Sequence, residues 1–222
     1  MGYRDQLQIE FYPGAFASKN SGQDESKNPP IKLTSQNNSN ISLIASLVLH
    51  SLQHRLATVQ QSTVTAKQTL QFISSAWDRT VGLENEARML EFCGVTRLTL
   101  SKPDDSSLSL RARCTLLGSA NSSTPGRKGA SKSSNAKRID VDFTVRARIE
   151  QTDAENTVGS LNFDIDVLAT KVYGFGTGNK SGLPEKELQS ILGKGLGQKD
   201  GDVQLGNGVW CKAVRTLTAS VF

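Results

Sequence analysis

Histidine is scarce in this chain: His50 and His54 are the whole supply in 222 residues. They stand four apart, a spacing that places two metal ligands on one helical face, but no HExxH glutamate accompanies them and no third ligand is evident. The simpler account, half-exposed helix histidines, is favoured. Cysteine is almost as rare. Cys93, Cys114 and Cys211 are too few and too scattered for a disulfide scaffold or a zinc knuckle. An odd count, with no cationic start and apolar core in "MGYRDQLQIEF", leads to the expectation of a reducing compartment. Gln6 stands where a myristoylation signal needs Ser or Thr. No apolar run approaches the roughly 20 residues that span a bilayer, so no membrane helix is expected. The chain opens almost directly on a strand, as a segment of a longer protein would.

Phosphate-cradle and nucleophile-elbow motifs are missing as well. "GFGTGNKSG" (174–182) is glycine-rich and ends in a lysine and a serine, but its spacing and the following Pro184 do not fit a P-loop. A flexible connection is the better account, and no cofactor is expected. Acid is absent from one stretch in particular. Residues 119–137, "SANSSTPGRKGASKSSNAK", hold Arg127, Lys128, Lys132 and Lys137 without a carboxylate, and so carry four of the five net positive charges. The remainder is close to neutral, which argues against a basic surface covering the whole domain. The segment reads as a disordered hairpin insertion, with a kinase target as the alternative.

What is present is alternation. In "RIDVDFTVRARIE" (138–150) every odd position from Ile139 to Ile149 is apolar, and every even one is charged or polar. Strand side chains alternate between faces, so this strand has one dry and one wet face. "VTRLTLS" (95–101), "SLSLRARCTLLG" (107–118) and "LNFDIDVLAT" (161–170) read similarly, the last with Leu161, Phe163, Ile165, Val167 and Ala169 inward. Consecutive strands without intervening helices predict an antiparallel meander. Arg111, Arg113, Arg146 and Arg148 would share the wet face with Asp140, Asp142, Asp164 and Asp166, and pair with them across strands. Carboxylate acid–base catalysis would need a pocket that nothing announces.

Before the meander, "LQIEFYP" and "IKLT" read as short strands. Ile41, Ile44, Ala45, Val48, Leu52, Leu56 and Val59 mark a helix with a cap within Asn38–Asn40. A second helix spans about Ala66 to Phe92, striped by Leu70, Ile73, Trp77, Val81, Ala87 and Leu90 and stopped by Gly94. Two more helices, around "LPEKELQSILGKGL" and "NGVWCKAVRTLTASVF", close the chain. Trp77 and Trp210 fall at core positions, and Cys114 and Cys211 behave as small hydrophobes. The expected class is α+β, a four-stranded antiparallel meander flanked by helices in the order α-β-β-β-β-α-α.

That order resembles the RWD domain, a relative of the ubiquitin-conjugating fold. A conjugating enzyme needs a histidine beside its downstream cysteine, and this chain has none after His54. "VYGFG" keeps Tyr173 but lacks the prolines of the usual RWD pattern. "QFISSAWDRTVGLENEARMLEF", "RCTLLG", "RIDVDFTVRARI", "ATKVYGFG" and "GVWCKAVRTL", in this order, together resemble the C-terminal region of fungal kinetochore scaffold proteins of the blinkin (Spc-seven) family. The opening "LQIEFYPGAF…PIKLT" is similar to the start of that region. The resemblance covers nearly the whole chain. It implies tandem RWD domains, here a reduced N-terminal unit over 1–72 and a C-terminal domain over 73–222. It also implies a non-enzymatic module in the nucleus that anchors the outer-kinetochore scaffold to the MIND complex during chromosome segregation. The alternative is a nucleic-acid-binding module using the basic 119–137 segment and the arginine-bearing sheet face.

Lys171, Tyr173 and Phe175, after the expected last strand, are the proposed partner-binding residues, because aromatic side chains in a glycine-rich connection give large contact area. The basic segment, by contrast, is expected to be dispensable. Replacing residues 119–137 with a short Gly-Asn turn is expected to leave folding and partner binding intact; a loss of affinity beyond tenfold, about 1.4 kcal/mol, would assign the segment a role.

Overall fold

The alternation of 138–150 decides the architecture, because a sheet with one apolar face has to be covered on that face only. In the computed structural model, residues 2–3, 7–12, 30–35, 41–58, 63–103, 108–120, 135–150, 159–174, 185–196 and 208–221 are described. Three strands come first: β1 (Gly2–Tyr3), β2 (Leu7–Phe11) and β3 (Ile31–Ser35). Helices α1 (Leu43–Thr58) and α2 (Thr63–Met89) follow, and a 3₁₀ turn (Leu90–Cys93) ends α2. Then come β4 (Val95–Ser101), β5 (Ser109–Ala120), β6 (Asn135–Glu150) and β7 (Ser160–Gly174), and finally α3 (Glu185–Gly195) and α4 (Val209–Val221). The fold is α+β. The larger sheet has the order β4-β5-β6-β7, antiparallel throughout, and β1-β2-β3 form a smaller antiparallel sheet.

Leu110, Ala112, Cys114 and Leu116 of β5, Ile139, Val141, Phe143 and Val145 of β6, and Leu161, Phe163 and Ile165 of β7 are all buried on the dry face. Phe143, near its centre, meets the Trp210 ring of α4 edge-on at 5.5 Å. Aromatic pairs favour this arrangement, in which a ring edge points at a neighbouring π face. α4 is held there by a residue far away in sequence. Glu86 of α2 is buried, and its Oε1 accepts the backbone N–H groups of Trp210 and of Cys211, the latter at 3.1 Å. These are first-turn donors that a helix cannot satisfy by itself, and a carboxylate at that end also meets the helix dipole favourably.

α1 is buried more widely than a single stripe. Leu47 and Leu49 join Ile44, Val48, Leu52 and Leu56 because the helix touches both sheets. Gln53 Nε2 donates to Leu33 O of β3 at 2.9 Å. Its cap is Ser42, whose Oγ accepts the Ala45 N–H at 3.0 Å and whose hydroxyl donates to Glu84 of α2. The expected cap, Asn38–Asn40, lies outside the described residues. Residue 72 falls inside α2, and buried side chains from both sides of it, Leu7 and Leu33 as well as Ile73 and Trp77, belong to one core.

α2 gives way to the 3₁₀ turn before the predicted end at Phe92, and Gly94 stops it at φ 95°, a left-handed conformation that a side chain would strain. β5 and β6 reach Ala120 and Asn135, so the ends of the 119–137 segment are paired strand; residues 121–134 lie outside the described residues. Trp77 is fully buried, as its place in the α2 stripe predicts. Trp77→Ala is expected to cost about 3–5 kcal/mol, the range for a buried large aromatic. Urea denaturation of the variant measures this, and an unchanged midpoint would contradict the packing.

Candidate partner-docking site at the end of β7

The last strand does not keep its alternation. Asp142 faces Ala169 and Phe143 faces Val167, so Leu168 is an extra residue with no opposite number, a β-bulge. Beyond it every side chain changes face. Thr170, buried, takes the inward place opposite Val141, and its hydroxyl donates to Glu185 O at the start of α3 at 3.2 Å. Ala169, expected to point inward, turns outward with Lys171 and Tyr173. Lys171 and Tyr173 are therefore strand residues on the wet face and do not follow the strand; Phe175 lies outside the described residues. The sequence carries a signal for this. Val167 and Leu168 are adjacent apolar residues that break the period, and Thr170 and Val172 resume it on even numbers.

Register aligns the wet face in rows. Leu117, Arg138 and Tyr173 form the end row, with Leu117 55% and Tyr173 43% exposed. The Arg138 guanidinium lies 5.3 Å from the Tyr173 ring centroid, a cation–π contact. Arg138 is in turn held by Asp140 two residues along the same strand, through Nε at 2.9 Å and Nη2 at 2.7 Å. Thr115, Asp140 and Lys171 make the next row, and the Thr115 hydroxyl donates to Asp140 at 3.0 Å. In the third, Arg113 grips Asp142 through two hydrogen bonds of 2.6 and 2.9 Å. Farther along, Arg146 pairs with Asp166 across the strands, and Arg148 with Asp164 at 3.3 Å and Glu150 at 2.8 Å. Cross-strand pairing was expected of all four arginines; Arg113, Arg146 and Arg148 do it. Arg111, like Arg97 and Lys171 on the same face, has no ion pair among the described residues.

The carboxylates respond to this setting. The hydrogen bonds from Arg113 hold the Asp142 carboxyl below its ordinary range, against partial burial, with Arg111 and Lys171 adding to the positive field. Burial pushes Asp140 upward but is outweighed by the hydrogen bonds from Arg138 and Thr115, so it too is lowered. With its aspartates engaged and three cations without ion pairs among the described residues, the face offers an occupant positive charge beside an exposed ring.

The chain matches no protein-family model, and no curated protein or solved structure is significantly similar to it.

Other residues singled out from sequence sit apart from this face. His50 and His54 are exposed on α1, and no described group of three or more His, Cys, Asp or Glu residues is placed to hold a metal ion. Burial, the largest cause, pushes the Cys114 thiol up to about 12, so at neutral pH it is no thiolate nucleophile. Gly174 ends β7, and the rest of the glycine-rich stretch lies outside the described residues.

Asp140 and Asp142 are more acidic folded than unfolded, so the unfolded chain binds protons first as pH falls. Their contribution to stability is complete above the ordinary carboxylate value of 3.8 and is lost as pH drops through the lower folded values. Urea midpoints across this acid range should fall less steeply for Asp142→Asn than for the parent chain. Parallel curves would show that the Arg113 pair is not formed in solution.

Proposed function

We propose that this chain is a non-enzymatic docking module that binds a protein partner at the exposed end of the β6–β7 face. The observation that carries the reading is Tyr173: an exposed aromatic at the end of an edge strand, its ring beside Arg138 and its neighbour Lys171 without an ion pair among the described residues. Tyr and Arg are the side chains most enriched among residues that dominate interface energies. An edge strand also offers main-chain donors and acceptors to which a partner segment can add.

The motifs quoted above support the narrower form of the proposal. In it the chain is the tandem RWD region of an outer-kinetochore scaffold of the blinkin family, its N-terminal unit (1–72) reduced. The partner is the MIND complex, the place is the nucleus at the kinetochore, and the role is chromosome segregation. The nucleic-acid alternative has less behind it, because single-strand binders stack successive bases on several rings. Among the described residues the inner rows of the wet face offer none, which leaves the single ring of Tyr173 at its end.

The test is a binding titration of the full chain against purified MIND complex and, separately, duplex and single-stranded DNA. The expected result is binding to the complex that weakens more than tenfold in a Lys171→Glu, Tyr173→Ala variant whose melting temperature is unchanged. Full affinity in that variant removes the site, binding to DNA alone favours the alternative, and no binding by the parent chain overturns the function.

A further inference from the structure

A second surface lies away from the sheet face, where the C-terminal half of α2 runs beside the start of α4. The two helices wall a cleft of about 530 Å³. One wall is Gly82, Glu86 and Met89, at helical spacings of four and three residues; the other is Cys211, Lys212 and Arg215. Cys93, in the 3₁₀ turn beyond Met89, carries the first wall past the end of α2. We propose that this cleft is a docking groove for an acidic amphipathic α-helix of a partner protein, a site independent of the one at β7.

The two cysteines in the walls behave as small apolar side chains. Cys93 is buried, and Cys211 is held as a protonated thiol: burial first, then its hydrogen bond with Cys93, push it up to about 12. Gly82 has no side chain, so a helix backbone can come close to the wall at that point. The rim is amphipathic: Met89 on the α2 side is 48% exposed, while Lys212 and Arg215 on the α4 side are exposed. The exposed charge at the rim is positive: Lys212 and Arg215 are exposed, whereas Glu86, the carboxylate in the lining, is buried and accepts the N–H groups of Trp210 and Cys211. Apolar anchors on one side of an incoming helix would cover Met89, and carboxylates beside them would meet Lys212 and Arg215. A drug-sized ligand suits the cleft less, since such sites bury most of their ligand's surface and this rim is exposed.

The experiment uses the full chain and two synthetic helical peptides of about 14 residues, four turns, with the same Leu/Phe stripe. One carries Glu at the flanking positions and the other Lys. Fluorescence anisotropy should show the Glu peptide binding at least tenfold more tightly than the Lys peptide. A Lys212→Glu, Arg215→Glu variant, altered only at exposed positions, should lose that preference, and Met89→Glu should weaken the Glu peptide by itself. Arg111→Glu with Lys171→Glu, on the sheet face, should change nothing; this arm separates the groove from the β7 site. Equal or absent binding of the two peptides, or loss on the sheet-face change and not on the groove changes, overturns the proposal.

Discussion

The edge-on contact between Phe143 and Trp210 is the point on which the structure closes. Phe143 is the middle of a strand whose dry face cannot stay in water, and Trp210 belongs to the last helix of the chain. Bringing them together spans 67 residues of sequence. Area burial by itself would hold α4 loosely, since a hydrophobic contact has no direction. Direction comes from Glu86, which offers a carboxylate where the first backbone N–H groups of α4 need an acceptor. The two effects are complementary: burial supplies most of the free energy, and the buried hydrogen bonds fix where the helix begins.

The wet face follows a different logic. Its ion pairs are half exposed on the arginine side, and exposed pairs contribute about 0–1 kcal/mol each. They are weak evidence for stability. Their effect is on what the face presents: aspartates are neutralised locally, and Arg97, Arg111 and Lys171 leave the sheet face with a positive surplus. The bulge at Leu168 contributes to this, because without the extra residue Lys171 and Tyr173 would point into the core and Thr170 out of it. One inserted residue thus converts the end of an edge strand from core to surface.

Much of this was legible in the chain. Strict alternation in 138–150 specified a two-faced strand, since a period of two in side-chain direction is built into extended backbone. The stripe through Ile73 and Trp77 specified a helix with one buried side, and both tryptophans lie fully buried where helical spacing puts them. The four-strand meander followed from consecutive strand patterns with no helical pattern between them. Lys171 and Tyr173 were identified as surface residues by type, but placed after the strand rather than in it. The broken period at Val167–Leu168 marked the bulge, yet the same letters also fit a strand that simply ends.

What the sequence by itself determined is therefore periodic and local: which segments are strand or helix, and which face of each is dry. The tertiary structure decided what depends on meeting across distance. It made Ser42 the helix cap with Glu84 behind it, gave Glu86 to α4, and set Arg138 over Tyr173 although 35 residues separate them. It also opened a cleft between α2 and α4 whose walls are unremarkable in either helix taken singly. The physical reason is that backbone periodicity is a property of neighbours in sequence. A buried carboxylate, a cation over a ring and a groove are properties of register and packing, and these exist only once the chain has closed on itself.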